Sequence, residues 1–408
     1  MLRVIFYYEN MSTVEEIAPS DVVTEEKSVK EYERWDDLDL KEDLLRGIYN
    51  YGFENPSPIQ KKAIKPIIDG HDVIAQAQSG SGKTGTFAIS TLQNIDPSLK
   101  ETQAIILAPT HELVKQIASV ITSIGNVFQG LCVKTLVGGS PVSEDAALLR
   151  ENPPHIVVGC TGRVCDMMNR GHLPTKSIKL LILDEADEML ARGFKDTVYH
   201  IFQKLSRTVQ VALFSATMPP EMLRLTERFM RNPVSITVKA EQLNLECIQQ
   251  YYIALQNDES KYNTIKSLFE HLLVSQCIIY VNSVNRVVDL YNAMMKEGYA
   301  VCCIHSSMDK TSREKTMADF RRGTFRVLIS SNVTARGIDV QQVSTVINFD
   351  IPRCVHTYLH RIGRSGRWGR KGLAINLITR YDISTMQTIE KHYRSNILEL
   401  PGDFRVGS

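Results

Sequence analysis

The stretch "DVIAQAQSGSGKTGTFAIS", residues 72–90, decides the fold because a glycine-rich loop in it joins a short apolar run to a helical segment. Loops of this kind follow a buried strand and open a helix whose first N–H groups bind the phosphates of a nucleotide. Lys83 is predicted to reach the β and γ phosphates, and the Thr84 hydroxyl to bind Mg²⁺. The loop residues expected around the phosphates are Ser79, Gly80, Ser81 and Gly82.

The acidic motif "LDEAD", residues 183–187, ends another aliphatic run, so its carboxylates are expected at the same rim of the sheet as the loop. Asp184 is the natural partner of Mg²⁺, because hard cations are held by carboxylates, waters and phosphates. Glu185 is placed to orient and deprotonate an attacking water. Together, the loop and the acidic motif predict hydrolysis of a nucleoside triphosphate.

Apolar runs separated by helical segments recur in both halves of the chain, which predicts parallel strands buried on both faces of α/β sheets. A polar stretch, residues 239–246, separates the two series and is expected to be a linker. We therefore expect one domain at residues 35–238 and another at residues 247–408, after an acidic leader at residues 1–34. The runs begin near residues 72, 104, 133, 155, 180 and 209, and then near 276, 300, 326, 343 and 372.

The composition is typical of a folded protein, since 43% of the 408 residues are hydrophobic and 23% are charged. The net charge of +1 excludes a histone-like polycation but not a local basic groove. The eight cysteines contain no C-x-x-C pair, which favours free thiols over disulfides or zinc. No apolar run approaches the roughly 18 residues of a membrane span. We expect a cytoplasmic or nuclear protein without a membrane partner.

The motif "HRIGRSGRWGR", residues 360–370, places four arginines three residues apart, so several are expected to project together. Such rows bind nucleic acid, but phosphoryl transfer also uses guanidinium groups against the charge that develops on the γ-phosphate. Because the motif lies in the second domain, it can act on the nucleotide only when the domains close. The arginines are Arg361, Arg364, Arg367 and Arg370.

These motifs, in this order, resemble those of the DEAD-box ATP-dependent RNA helicases, and the connecting sequence is most similar to the translation initiation factor 4A group. The resemblance extends from about Trp35 to about Leu400. It implies an α/β fold of two tandem RecA-like domains, each a parallel sheet flanked by helices, with a cleft between them. It also implies ATP as the nucleotide and single-stranded RNA or a short duplex, bound without sequence specificity, as the second ligand.

The resemblance assigns further residues on the ATP side. Phe53 would stack on adenine, and Gln60 would hydrogen bond the edge of the base. Arg364 and Arg367 occupy the positions of the arginine fingers. The implied nucleotide contacts in the second domain are Gly337 and Asp339. The residues implied to couple hydrolysis to RNA binding are Asp187, Ser215, Thr217 and His360.

On the RNA side, the resemblance implies main-chain amides, hydroxyls and a few basic groups that contact sugar and phosphate without reading sequence. The residues assigned to RNA are Pro109, Thr110, His111, Gly138, Gly139, Thr161, Gly162, Arg163, Asn282, Ser331 and Arg336. The charged segment at residues 309–315, in contrast, is expected to be a solvated helix face.

The sequence departs from the family pattern on the RNA side. His111 stands where the family has Arg, residues 160–161 are Cys-Thr for Thr-Pro, 306–307 are Ser-Ser for Gly-Asp, and 331–332 are Ser-Asn for Thr-Asp. An imidazole, unlike a guanidinium, is mostly neutral at cellular pH. We expect family-like ATP affinity but lowered RNA affinity or RNA-stimulated ATPase; neutral drift around backbone contacts is the alternative.

Two other functions are compatible with parts of the sequence. An ATP-locked RNA clamp, the scaffold of a ribonucleoprotein, would use the same residues as a helicase. A DNA translocase of related core is disfavoured, because the acidic motif, residues 215–217 and Gln60 all resemble the RNA branch. We expect a monomer whose protein partners, of the initiation-factor or ribonucleoprotein type, choose its targets.

Overall fold

Two seven-stranded sheets follow one another along the chain, and every strand pair described in them is parallel. The structure, a computed structural model, describes residues 30–77, 80–191, 193–218, 220–237, 248–271, 276–334, 343–365 and 372–401. We call the first sheet with its helices the first lobe, and the second sheet with its helices the second lobe. The predicted architecture of two parallel sheets flanked by helices is confirmed.

The first lobe has the strand order β3-β4-β2-β5-β6-β1-β7. Its strands are β1 (Val73–Gln76), β2 (Ala104–Leu107), β3 (Val133–Leu136), β4 (Ile156–Gly159), β5 (Leu180–Asp184), β6 (Gln210–Ser215) and β7 (Val234–Thr237). Its helices are α1 (Glu42–Asn50), α2 (Pro58–Ile68), α3 (Lys83–Asn94), α4 (His111–Ile124), α5 (Val142–Glu151), α6 (Thr161–Asn169), α7 (Ala186–Ala191), α8 (Lys195–Lys204) and α9 (Pro220–Phe229).

The second lobe has the strand order β10-β11-β9-β12-β13-β8-β14. Its strands are β8 (Ile248–Ala254), β9 (Gln276–Tyr280), β10 (Val301–Ile304), β11 (Val327–Ser330), β12 (Val343–Asn348), β13 (Gly372–Ile378) and β14 (Leu398–Glu399). Its helices are α10 (Asp258–His271), α11 (Val284–Lys296), α12 (Lys310–Arg321), α13 (Val355–Ile362) and α14 (Ile383–Tyr393).

The central strands are buried on both faces, which is why they appear in the sequence as unbroken aliphatic runs. Along β2, Ile106 packs into one core and its neighbours Ile105 and Leu107 pack into the core on the opposite face. All three side chains are fully buried. Helices on both faces therefore hold each strand in place, and the loops at the strand ends start from fixed points.

Three strands were not predicted, and all lie toward one edge of a sheet. In the first sheet β7 is an edge strand, and in the second β14 is the edge strand with β8 beside it. Their sequences lack an aliphatic run: β8 reads "IQQYYIA", and β14 has only two residues. The predicted linker at residues 239–246 lies outside the described residues. In the part of the chain that is described, no helix combines the length and apolar character needed to cross a bilayer.

Candidate active site

The candidate residues divide the rim at the carboxyl ends of the strands into two halves. In the first lobe, the glycine-rich loop, the acidic motif and residues 215–217 follow β1, β5 and β6, which are adjacent. The residues assigned to RNA follow β2, β3 and β4, which lie together on the other side of β5. In the second lobe, the arginine-containing helix α13 follows β12, whereas the RNA-assigned residues follow β9 and β11. The sheet topology therefore separates a nucleotide half from an RNA half.

The glycine-rich loop has the geometry that phosphate binding requires. Gly80 and Gly82 have φ angles of 83° and 103°, values that side chains rarely adopt, and a Cβ on Gly82 would also collide with Ser57 Oγ. Lys83 is 5% exposed, and its Nζ donates to the Ala77 carbonyl at 2.9 Å. Within the described residues, Ser81 Oγ is buried without a hydrogen-bond partner. An orphaned donor beside a glycine-rich turn fits an oxygen-rich ligand.

Gln60 is tied to this loop. Its Nε2 donates to the Gly82 carbonyl at 3.3 Å, and its Oε1 accepts from Ser57 N at 2.7 Å. Ser57 Oγ in turn donates to the Ser81 carbonyl at 2.8 Å. The helix that carries the predicted adenine contact therefore also positions the loop. Sequence reasoning missed Ser57, although Ser followed three residues later by Gln is the signature of a capping box.

Phe53 lies at the edge of an aromatic cluster on the same side. Its ring stacks on Trp35, with centroids 6.3 Å apart and planes 23° apart, and it meets Tyr51 edge-on at 4.8 Å. Trp35 is fully buried and its Nε1 donates to the Phe53 carbonyl at 3.1 Å. Phe53 is only partly buried, so the arrangement holds its ring at the surface, as stacking on a base requires.

The acidic motif concentrates negative charge in a dry pocket. Asp184 and Glu185 are each 2% exposed, and Glu185 Oε1 lies 3.5 Å from Lys83 Nζ. Burial, and then the charge of Glu185, raise the pKa of Asp184 to about 7. A divalent cation would offset this charge. Asp184, with Thr84 in the first turn of α3, is a set of oxygen donors that suits Mg²⁺.

An imidazole of the second lobe lies between two carboxylates of the first. His360 Nε2 is 3.4 Å from Asp187 Oδ2, and His360 Nδ1 is 3.9 Å from Glu185 Oε2. Thr217 Oγ1 donates to the same Asp187 oxygen at 2.8 Å, and Ser215 Oγ donates to the Thr217 carbonyl at 2.7 Å. The residues implied to couple hydrolysis to RNA binding are thus brought together. The side chains of Glu185, Asp187 and His360 lie close enough together to hold a metal ion, but the His360 ring itself occupies the space between the two carboxylates.

The prediction that the arginine row projects together is wrong for its first two members. Arg361 is fully buried in the RNA half, with all its contacts inside the second lobe. Arg364, beyond the end of α13, is 2% exposed, and its Nε donates to the His360 carbonyl at 3.2 Å. The difference arises because the helix ends at Ile362 and the chain turns there. The candidates outside the described residues are Ser79, Arg336, Gly337, Asp339 and Arg367.

The RNA-assigned residues of the first lobe lie at the starts of α4 and α6 and in the turn after β3. Thr110 caps α4 through Oγ1, which accepts from Leu113 N at 3.3 Å. His111 begins that helix, with its Nε2 toward Gly138, where a Cβ would be 3.7 Å away. Thr161 begins α6 and is 1% exposed. The other members in these loops are Pro109, Gly139 and Gly162.

Arg163 is held by protein groups. Its Nη2 donates to the Ser140 carbonyl at 2.7 Å, and its Nη1 pairs with the Asp145 carboxylate. The two side chains of this pair are only 10% and 9% exposed. The guanidinium therefore fixes the turn after β3, and RNA contact by Arg163 stays a prediction.

Ion pairs join the two lobes in the RNA half. Arg313 Nη2 lies 2.6 Å from Glu112 Oε1, with side chains 15% and 11% exposed, and Lys115 pairs with Glu314. The expectation of a solvated face at residues 309–315 is therefore wrong for Arg313. The sequence could not predict this contact, because α4 and α12 belong to different lobes.

Reversing one of these charges should open the lobes. In Arg313→Glu, two carboxylates would face each other in place of a charged hydrogen bond of about 1.5–3 kcal/mol, so we expect the closed arrangement to be depopulated by about tenfold or more. Energy transfer between dyes on the two lobes measures the effect. Glu112→Arg combined with Arg313→Glu should restore closure, and Arg322→Glu, an exposed site just after the end of the same helix, is the control. Unchanged transfer in Arg313→Glu would contradict a role in closure.

A cavity of about 500 Å³ lies away from these residues. Leu149, Arg150 and His172 are among the residues that line it, together with Thr102 just before β2. It thus opens at the amino ends of the strands, and no candidate site residue lines it.

Comparison with known proteins agrees with the geometry. The DEAD/DEAH box helicase family model matches residues 57–225, and the helicase conserved C-terminal domain model matches residues 260–369. The chain is 50% identical over 367 residues to the ATP-dependent RNA helicase eIF4A of Neurospora crassa, covering 90% of this chain and 92% of that protein.

Two solved structures of Dbp5 from S. cerevisiae also match. The structure bound to RNA and ADP BeF3 is 32% identical, with a TM-score of 0.84 over 91% of this chain and 96% of that one. The structure of a Dbp5 variant bound to Nup159, a variant of Gle1, IP6 and ADP is 30% identical, with a TM-score of 0.63 over 90% of this chain and 96% of that one. The predicted tandem RecA-like fold is confirmed by these matches.

Proposed function

Because the chain belongs to the DEAD/DEAH box helicase family, we propose that it is an ATP-dependent RNA helicase that closes its two lobes on RNA when ATP binds. The observation that carries this proposal is the position of His360 of the second lobe between Glu185 and Asp187 of the first. A catalytic pocket shared by two lobes is complete only when they meet. ATP turnover is therefore linked to whatever else brings the lobes together.

On the nucleotide side, Lys83 and the glycine-rich loop bind the phosphates, and Gln60 and Phe53 hold the base. Glu185 orients the attacking water and accepts its proton. Arg364 and Arg367 place guanidinium groups against the charge that develops on the γ-phosphate. Asp184 and Thr84 would hold Mg²⁺, which supplies charge neutralisation on the phosphate oxygens.

On the RNA side, the two lobes form one surface from the starts of α4 and α6 and the loops after β9 and β11. Its hydroxyl, amide and main-chain groups suit a sugar-phosphate backbone without sequence preference. The higher similarity to Dbp5 with RNA and ADP BeF3, a TM-score of 0.84 against 0.63, supports a closed, RNA-competent arrangement. Closure on one strand would separate a short duplex locally, and hydrolysis would release the RNA.

Translation initiation is the role we favour, because the similarity to eIF4A spans almost all of both chains. Both sites are completed by lobes of one chain, which favours a monomer. Protein partners of the initiation-factor or ribonucleoprotein type would choose the RNA. We propose the cytoplasm or nucleus as its location, since every described cysteine is a free thiol.

A duplex-release experiment tests the proposal against the clamp alternative. Purified protein is mixed with ATP, Mg²⁺ and a short RNA duplex, and both phosphate and displaced strand are measured. A helicase should release strands while RNA accelerates ATP turnover. Long-lived RNA complexes with ATP and little turnover would favour the clamp. Equal stimulation by DNA and RNA would contradict an RNA-specific enzyme.

Restoring the family residues at two RNA-side positions should strengthen RNA stimulation. His111→Arg adds a permanent charge beside Gly138, and Thr161→Pro places proline at the first position of α6, where its fixed φ suits a helix. We expect the double variant to bind RNA about tenfold more tightly, with a steeper salt dependence. RNA-stimulated ATPase measures the gain, and His172→Arg, outside this surface, is the charge-matched control. No gain would favour neutral drift.

A further inference from the structure

Arg361 is fully buried, and no carboxylate among the described residues accepts a hydrogen bond from it. Its Nε and Nη2 donate to Asn332 Oδ1 at 2.8 and 2.6 Å, and Nη2 also donates to Asn282 Oδ1 at 2.7 Å. Its Nη1 donates to Asn348 Oδ1 at 3.2 Å and to the Asp350 carbonyl at 2.7 Å. These contacts satisfy all the N–H groups of a guanidinium, and every acceptor is neutral. Burial lowers the pKa of Arg361 to about 10, so the group is still charged at neutral pH.

The neighbouring carboxylate is engaged by other cations. Arg286 binds both oxygens of Asp350, Nη2 to Oδ1 at 2.6 Å and Nε to Oδ2 at 2.8 Å. Lys261 Nζ lies 3.9 Å from Asp350 Oδ1. Among the described residues, Asp350 thus offers Arg361 only its backbone carbonyl. Asn282 and Asn332 are exposed on the RNA half of the rim, and their amide oxygens accept hydrogen bonds from Arg361. The positive charge of Arg361 is therefore separated from that surface by these two side chains.

The guanidinium fixes the direction of the Asn332 amide. Oδ1 and Nδ2 are alike in shape, but only Oδ1 can accept a hydrogen bond. Since Oδ1 accepts two bonds from Arg361, Nδ2 is the end of the side chain on the outer side. Nδ2 makes no hydrogen bond to another described residue. Bonding to a charged donor also polarises the amide, which makes Nδ2 a stronger donor.

A second candidate donor lies in the loop after the adjacent strand. Asn282 and Ser283 follow β9, which pairs with β11, and the Asn282 and Asn332 amides share the same Arg361 nitrogen. Ser283 is exposed, and its Oγ accepts from Arg286 N at 3.3 Å, so its O–H group can still donate to a ligand. A donor above a buried positive charge, with a hydroxyl in the loop after the adjacent strand, suits a phosphate oxygen.

We propose that Asn332 binds an RNA phosphate through Nδ2, in an orientation set by the buried Arg361. The proposal rests on the proposed function, which makes RNA the source of the phosphate. An aspartate here, the residue of the resembling family, would instead present a carboxylate oxygen to the phosphate and repel it. Asn332 thereby gives the second lobe an additional phosphate contact. In the first lobe, in contrast, the arginine of the resembling family is replaced by His111.

The first test is Asn332→Asp, which keeps the shape of the side chain and gives Arg361 a carboxylate. With labelled oligouridylate and a non-hydrolysable ATP analogue, we expect RNA affinity to fall by about tenfold. Asn292→Asp, an exposed position on α11, adds the same charge elsewhere in the lobe and should bind like wild type. The thermal midpoint of Asn332→Asp should not fall below wild type, which excludes misfolding as the cause. Equal or tighter RNA binding by Asn332→Asp would overturn the proposal.

A second test separates a phosphate contact from a purely structural role. Oligouridylates with one neutral methylphosphonate linkage, moved along the strand, are bound to wild type and to Asn332→Asp. The penalty of the substitution should disappear at one linkage and persist at the others. The same penalty at every linkage would overturn the contact. Failure of wild type to bind RNA at all would instead remove the proposed function itself.

Discussion

Glu185→Gln is expected to abolish nearly all ATP turnover while ATP still binds. The amide keeps the shape of the side chain in a pocket where Glu185 is 2% exposed, but it cannot accept a proton from water. Loss of a positioned general base costs about 10²- to 10⁴-fold in rate. The backbone also helps to position the Glu185 carboxylate. Glu185 has a φ of 51°, a conformation that its buried surroundings hold in place.

Single-turnover phosphate release at saturating RNA measures this loss, and equilibrium binding of a fluorescent ATP analogue measures affinity. Glu227→Gln, an exposed position on α9, is the control for removing one negative charge from the first lobe. Phosphate release by Glu185→Gln at the wild-type rate would contradict its role as base. Loss of ATP binding as well would point to a structural role beside Lys83.

Arg364→Ala should reduce RNA-stimulated turnover by about 10³- to 10⁵-fold, the range found for arginine fingers. Arg364 is 2% exposed and bonded to the carbonyl of His360, the residue that meets the first lobe. We therefore expect its guanidinium to belong to the closed pocket. The effect should appear in the maximal rate, since the charge that it opposes develops in the transition state.

Arg364→Lys should recover little, because an ammonium lacks the planar fork that a phosphoryl group matches. Arg380→Ala, an exposed arginine of the same lobe, should turn over like wild type. Steady-state and single-turnover rates with saturating RNA distinguish the variants. A rate within tenfold of wild type for Arg364→Ala would mean that the second lobe gates the pocket without taking part in the chemistry.

The larger part of the fold was predictable because it follows from local patterns. Aliphatic runs of strand length, separated by helical segments, indicate parallel strands buried on both faces. The strands that were missed lie at or beside a sheet edge, where the apolar signal fades: β7 and β14 are edge strands, and β8, with its two glutamines, pairs on its outer side only with the two residues of β14. The glycine-rich loop and the acidic motif were predictable for the same reason, since each is a short segment at the end of a strand.

The chain by itself determined which groups are available: a lysine after two glycines, two acids at the end of β5, and an arginine row at residues 361–370. Only the tertiary structure decided which of them meet. In the folded chain, Arg361 is buried within the second lobe and Gln60 is hydrogen bonded to the glycine-rich loop. Glu112 forms an ion pair with Arg313 across the cleft. The hydrophobic periodicity of a segment indicates which of its residues face the core. Contacts between distant segments depend instead on strand order and lobe packing, which no short pattern encodes.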